Sequence, residues 1–371
     1  MKHLFSNYLL LVLSVILISC NSEKKDMTIA MATFDQMPAK HKKVKNIILL
    51  IGDGMGLSQV SASQFYNDNP TNFERFSVIG LSKTSSSSDV ITDSAAGATA
   101  IASGVKSFNG AIGVTPDSLA VETIVEQISP KGISTGIIST SAITHATPAC
   151  FYAHVKSRRM EEEIAEFLIK SEVDFFAGGG LKFFNAREDG NDLLKLLKEN
   201  DFKVHTKKLP THTSKKKQAI ILAKKGMPKM IEGRGDFLPN ATKLALEHLS
   251  KNKKGFFLMV EGSQIDWGGH DNDANYLISE LLDFDKTLGI ALDFAKKDGE
   301  TLVIVTADHE TGGFTLASDD GNYNKIKPVF STGGHSATMV PVFAEGPGAE
   351  EFGGIYENTS IYDKIKSFFI D

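Results

Sequence analysis

Carboxylates and imidazoles crowd the ends of three apolar runs that lie far apart in the chain. Residues 47–51 lead into Gly52-Asp53-Gly54-Met55-Gly56. Residues 256–260 lead into Glu261-Gly262-Ser263-Gln264-Ile265-Asp266, with His270 following. Residues 302–305 lead into Thr306-Ala307-Asp308-His309-Glu310. Such groups are costly to place beside a buried strand unless something compensates them. One multi-metal site at the edge of a sheet would compensate all three strand ends together.

The spacings divide the ligands. Asp266 and His270 are four apart, so on a helical segment both reach one point. With His335, from Gly333-Gly334-His335-Ser336, they make two histidines and a carboxylate, a pattern for catalytic zinc. Asp308 and His309 are adjacent and would point opposite ways in a regular strand. They can serve one ion only if the chain turns there, which Thr311-Gly312-Gly313 makes available. Asp53, Glu261 and Thr147 offer oxygen ligands of the kind that suit magnesium. Ser94, in Thr92-Asp93-Ser94-Ala95-Ala96-Gly97, lies where a loop should enter an alanine-rich helix. It is either an N-cap or a nucleophile at the positive end of the helix. No Gly-x-Ser-x-Gly elbow accompanies it, so a nucleophilic Ser94 needs another activator, and a metal ion can serve.

Strands are expected over 45–51, 133–140, 173–177, 255–260, 301–306 and 339–344, several of them continuous apolar runs suited to burial on both faces. Helical patterns fall over 92–103, 118–128, 161–169, 192–198, 241–249 and 274–294. This alternation predicts an α/β fold, a large mostly parallel sheet covered by helices on both sides, with its site at the carboxyl ends of the strands. Gly178-Gly179-Gly180 reads as a loop without the spacing or the following helix of a dinucleotide fingerprint. A surface excursion is expected around 201–234, and no domain boundary within 46–371.

The chain has 371 residues, 42% hydrophobic and 23% charged, with net charge −5, an ordinary globular composition that argues against nucleic acid binding. Lys2 and His3 precede an apolar stretch over 9–18, too short for a comfortable membrane span and matched to a signal-peptide core. Its end, Leu17-Ile18-Ser19-Cys20, resembles a bacterial lipobox, which implies a signal peptide over 1–20, lipid on Cys20, a flexible tether over 21–45 and a protein exported to the periplasm or outer membrane. Cys150, the other of two cysteines, then lacks an intramolecular partner and is expected to be a buried apolar residue.

Taken in order, the motifs resemble those of the alkaline phosphatase family. The matching segments are Gly52–Gly56, Thr92–Ala96, His145-Ala146-Thr147-Pro148-Ala149, Ala153-His154-Val155-Lys156-Ser157-Arg158, Gly178–Phe184, Glu261–His270, Thr306–Glu310 and Gly333–Ser336. The resemblance implies a three-layer sandwich and the release of phosphate from phosphate monoesters. It implies Ser94 as a nucleophile that becomes phosphoserine. One zinc would sit on Asp266, His270 and His335, a second on Asp53, Asp308, His309 and Ser94, and magnesium on Asp53, Thr147 and Glu261. Arg158 would grip two phosphate oxygens, a bidentate task. Two neighbouring positions depart from an enteric bacterial member: His145 replaces an aspartate and Trp267 a lysine, leaving Trp267 either to touch phosphate or only to pack. Asp93 and His145 would lie just outside the ligands. The stretch between His309 and His335 is shorter than the insertion through which many relatives dimerise, so a homodimer stays open. Two competitors remain, a phosphodiesterase or sulfatase relative and an inactive surface lipoprotein. Ser94 is neither the threonine of related diesterases nor the cysteine of sulfatases, and no ligand is missing.

Overall fold

The structure is a computed structural model that describes residues 43–370. The expected signal peptide, Cys20 and most of the tether lie outside the described residues. The strands, in chain order, are β1 (Asn46–Gly52), β2 (Val78–Lys83), β3 (Ser134–Ala142), β4 (Phe175–Gly179), β5 (Phe202–His205), β6 (Lys217–Ile221), β7 (Phe256–Gly262), β8 (Thr301–Thr306), β9 (Glu310–Thr311), β10 (Thr315–Asp319), β11 (Asn322–Val329), β12 (His335–Ser336), β13 (Val340–Glu345) and β14 (Gly354–Glu357).

The run Ile47-Ile48-Leu49-Leu50-Ile51 forms a central strand because both faces of β1 are covered. Ile47, Leu49 and Ile51 enter one core, Ile48 and Leu50 the other. That is the period-2 alternation of a strand with two apolar sides, and each fully buried side chain contributes about 1.5–3 kcal/mol by leaving water. Helices Ser94–Ser103, Glu161–Lys170 and Thr359–Phe369 build on the first core, and Leu57–Tyr66, Phe237–Leu249 and Ala274–Asp298 on the second. The main sheet has ten strands in the order β14-β2-β13-β8-β1-β7-β3-β4-β6-β5, and only β13 runs against its neighbours. The parallel trio β8-β1-β7, with β3 beside it, brings the ends of all three acidic runs to one edge.

Three expectations are corrected. The helix over 118–128 shrinks to Ile124–Ile128, because Thr123 and Glu126 form a reciprocal capping box that fixes its start. Upstream, Ser118 has φ 63° and Leu119 is exposed. The triple glycine is not simply a loop: Gly178 and Gly179 finish β4, and a short helix, Lys182–Asn185, follows. The excursion around 201–234 contains β5 and β6, which extend the main sheet. Beyond β6 the chain crosses the carboxyl ends of β3 and β4, where Met227 N–H donates to the Thr140 carbonyl and Gly180 N–H to that of Lys225. Strands β2 and β14 lacked a clear apolar signal, being half exposed. Among the described residues no helix is long and apolar enough to cross a membrane.

Candidate active site

The helix Ser94–Ser103 starts at the sheet's carboxyl edge. Its cap is Asp93, whose side chain accepts from Ala96 N–H at 3.0 Å, so Ser94 is the first helical residue and its hydroxyl is not needed for capping. Ser94 Oγ lies 3.2 Å from His309 Nε2. The whole helix is buried, and its small residues permit close approach: a Cβ at Gly97 would lie 3.0 Å from the Asp308 carbonyl oxygen. Asp93 also accepts from Gly110 N–H at 3.0 Å and Arg158 Nη1 at 2.9 Å. Burial pushes the Asp93 carboxyl up, but Arg158 and the two backbone N–H groups outweigh it and hold it below the ordinary aspartate range.

Asp266 and His270 lie one turn apart on the short helix Gln264–His270. Asp266 Oδ1 is 3.4 Å from His270 Nε2 and 3.6 Å from His335 Nε2, and the two imidazole nitrogens are 3.2 Å apart. His270 Nδ1 meets the Gly333 carbonyl and His335 Nδ1 the Thr92 carbonyl, each at 2.8 Å. A carbonyl only accepts, so each Nδ1 carries a hydrogen, and in that tautomer of the imidazole Nε2 presents a lone pair. Two lone pairs and a carboxylate turned on one point repel one another unless a cation sits among them. Two nitrogens and an oxygen are suitable donors for zinc.

A second set surrounds His309 Nε2, which lies 3.4 Å from Asp53 Oδ1 and 3.5 Å from Asp308 Oδ2. The chain leaves β8 at Thr306, so Asp308 and His309 escape the strand alternation and converge. Among the described residues, both Asp53 oxygens and Asp308 Oδ2 are buried without a hydrogen-bond partner. His309 stands between the sets: its ring stacks on His335 at 3.6 Å, and it also groups with Asp266 and His335.

A third set is oxygen-only. Glu261 Oε2 accepts from Ser139 at 2.5 Å and Ser263 at 2.6 Å, whereas Glu261 Oε1 and Thr147 Oγ1 have no partner among the described residues. Buried polar atoms are nearly always hydrogen-bonded, so these orphaned oxygens are candidates to bind a cation. Burial, then the charges of Asp308, Asp266 and Glu261, raise the Asp53 carboxyl well above its ordinary range. Burial likewise raises Asp308, and it lifts Glu261 to about 7.

His145 is half-buried; the burial of its ring, then Arg158, lower it to about 3, so it is neutral. Its Nε2 lies 3.4 Å from Arg158 Nη2, and its ring meets that of the half-buried Trp267 edge-on at 5.8 Å. Arg158, through Asp93 and His145, and Trp267, through His145, are thus linked to the helix that Ser94 opens. Three supporting groups escaped the sequence reading. Thr311 Oγ1 donates to Asp266 Oδ1 at 2.5 Å and is 3.2 Å from His309 Nδ1. Ser139 and Ser263 flank Glu261. The hydroxyl-rich end of an otherwise apolar strand, Ser139-Thr140-Ser141, was the available signal for that last group.

Comparison with known proteins identifies the family. A family model described as alkaline phosphatase matches residues 44–329. Alkaline phosphatase 4 of Bacillus subtilis is 37% identical over 88% of this chain and 74% of its own length. The alkaline phosphatase of Escherichia coli is 31% identical over 88% and 86%. Among solved structures, alkaline phosphatase from the Antarctic bacterium TAB5 superimposes with a TM-score of 0.87 at 54% identity, covering 89% of this chain and 99% of that one. Variants of that protein with one histidine replaced by aspartate or glutamate are described with magnesium bound in the M3 site. A matching fold, a family model over most of the chain and curated relatives above 30% identity together place it: this chain belongs to the alkaline phosphatase family, whose members are phosphatases.

Proposed function

We propose that the chain hydrolyses phosphate monoesters through a phosphoseryl intermediate on Ser94, with zinc in two residue sets and magnesium in a third. The observation that carries this reading is the set of buried, partnerless oxygens of Asp53, Asp308, Thr147 and Glu261, gathered close to a serine at a helix N-terminus. Asp266, His270 and His335 would hold one zinc. Asp53, Asp308, His309 and Ser94 Oγ would hold the other, and Asp53, Thr147 and Glu261 the magnesium. Bound there, the ions would lower the pKa of the serine hydroxyl and of water and stabilise charge on attacking and leaving oxygens.

The chain's own groups divide the remaining work. Ser94 Oγ attacks phosphorus, forming a serine–phosphate bond as the ester P–O bond breaks and the alcohol leaves. Water then attacks phosphorus from the vacated side, and inorganic phosphate departs from Ser94. The helix N-terminus favours the anion throughout. Asp93 orients Arg158 through Nη1, leaving the rest of the guanidinium for two unesterified phosphate oxygens. A diester offers fewer such oxygens, and this favours monoesters. Trp267, held edge-on to His145, would pack at the rim of the phosphate site. The sequence of residues 1–20 further supports an exported enzyme anchored by lipid on Cys20.

Purified protein loaded with zinc and magnesium should hold close to two zinc ions per chain and cleave a monoester in strong preference to a matched diester. Arg158→Ala should lower kcat/KM for the monoester about a hundredfold, the loss of about two charge-assisted hydrogen bonds, with most of the change in KM. A preference for the diester sends the assignment elsewhere in the superfamily. Inactivity at full metal content favours the binding lipoprotein.

His145 is two residues before Thr147 of the oxygen-only set. By analogy with the TAB5 variants, His145→Asp should make magnesium retention about tenfold tighter, since groups around a metal site shift affinity by factors of 10–100. Magnesium content after dialysis checks this, and an unchanged content would rule it out.

A further inference from the structure

Glu310 is the one acidic residue of the strand-end clusters to which the reaction gives no task, yet it is buried. Its carboxylate is saturated with donors. Oε1 accepts from Gln59 Nε2 at 2.7 Å and Phe314 N–H at 3.1 Å. Oε2 accepts from Gly313 N–H at 3.3 Å and from the Ser336 hydroxyl. Among the described residues no cation pairs with it: Glu310 forms no ion pair with lysine, arginine or histidine. A carboxylate taken out of water in this way is costly unless its lone pairs are used, and here donors from separate segments use them.

Those segments are the ones that carry ligands. Gln59 lies in the first turn of the helix that follows the Asp53 loop, and a Cβ at Gly56 in that loop would lie 2.5 Å from Glu310 Cγ. Glu310 itself follows Asp308 and His309. Ser336 follows His335, and the two-residue pairing of β9 with β12 sets Ser336 opposite Glu310 and His335 opposite Thr311. A two-residue ladder is a weak hold, and the other contacts of His335 are the Nδ1 bond to the Thr92 carbonyl and the approach of its ring to Asp266, His270 and His309, the groups that would share metal with it.

We infer that Glu310 is a positioning residue, the clasp that fixes His335 against the His309 segment and so keeps the Asp266–His270–His335 set fit to hold metal. The inference rests on the proposed zinc sets. It predicts an uneven effect. Asp308 and His309 sit on the clasp's own segment and keep their geometry without it, whereas His335 does not.

The test follows zinc transfer from fully loaded protein to a chromophoric chelator, for wild type, Glu310→Gln and the milder Ser336→Ala. Wild type should release two zinc ions per chain slowly. In Glu310→Gln, one of the two should leave about 10–100 times faster and the other at the wild-type rate; in Ser336→Ala the same ion should leave faster by a smaller factor. Excess zinc should restore most of the kcat of Glu310→Gln, a rescue that a general loss of folding would not permit. Wild-type release rates for both ions in a folded Glu310→Gln overturn the inference alone. So does equal acceleration of both ions, or activity that zinc cannot restore. A wild type that binds no zinc overturns both this inference and the proposed function beneath it. Should Glu310→Gln fail to fold, Ser336→Ala decides by the same uneven release.

Discussion

Ser94→Ala should lose monoesterase activity by roughly three orders of magnitude or more, because it removes the proposed nucleophile, the hydroxyl at the helix N-terminus beside His309. The variant is informative because the lost group is separable from the fold. Asp93 supplies the helix cap, and alanine is the best helix former at the vacated position. Among the described residues, the hydroxyl's side-chain hydrogen-bond contact is the one with His309. Stability should therefore stay within about 1 kcal/mol of wild type, and zinc content close to two per chain. Acid quenching during turnover should trap phosphate on wild type and none on the variant. A variant within tenfold of wild-type activity, or one that still traps phosphate, would exclude Ser94 as the nucleophile.

Removing the metals should abolish activity and reverse the way stability responds to pH. The sign follows from the buried carboxyls. Burial raises Glu261 from 4.5 to about 7, and moves Asp53 and Asp308 in the same direction. Each binds its proton more tightly in the fold than in the unfolded chain. The metal-free fold is thus most favoured below the unfolded value of 4.5. It loses that advantage as pH rises to about 7, by about 3 kcal/mol from Glu261 alone. Cations replace those protons, so metal affinity should climb over the same interval. Calorimetry from pH 5 to 9 should show the unfolding temperature of chelated protein falling by several degrees up to about pH 7. The loaded protein should keep its stability into the alkaline range. Restored zinc and magnesium should return activity by a factor of about a thousand. A chelated protein that stays active, or grows more stable as pH rises, would overturn the metal assignments.

The clusters were legible because each ends a run whose own signal is strong. Five consecutive aliphatic residues at 47–51 can only be a strand covered on both sides, and the residue after such a strand lands at the sheet edge whatever the details. The four-residue spacing of Asp266 and His270 likewise survives any small error in helix bounds. The false helix over 118–128 had an opposite origin: Leu119 supplied an apolar stripe on paper, while the Thr123–Glu126 capping box, a local hydrogen-bond signal, decided the start. Strands β5 and β6 were lost because Phe202–His205 is four residues long and Lys217–Ile221 follows a lysine run that reads as solvated loop.

By itself the sequence determined the fold class, the identity of the metal-type ligands and the candidate nucleophile, since these depend on residue type and on spacing within single elements. Only the tertiary structure decided which ligands share a point. It bent the chain after Thr306 so that Asp308 and His309 converge. It gave the helix cap to Asp93 and freed Ser94, and it set His309 between two ligand sets. It turned Glu310 from one more acidic residue into a buried junction of three segments. Those outcomes depend on contacts between residues as far apart as 251 positions, as Gln59 and Glu310 are, and no local pattern carries the distance between side chains that meet only after the sheet has assembled.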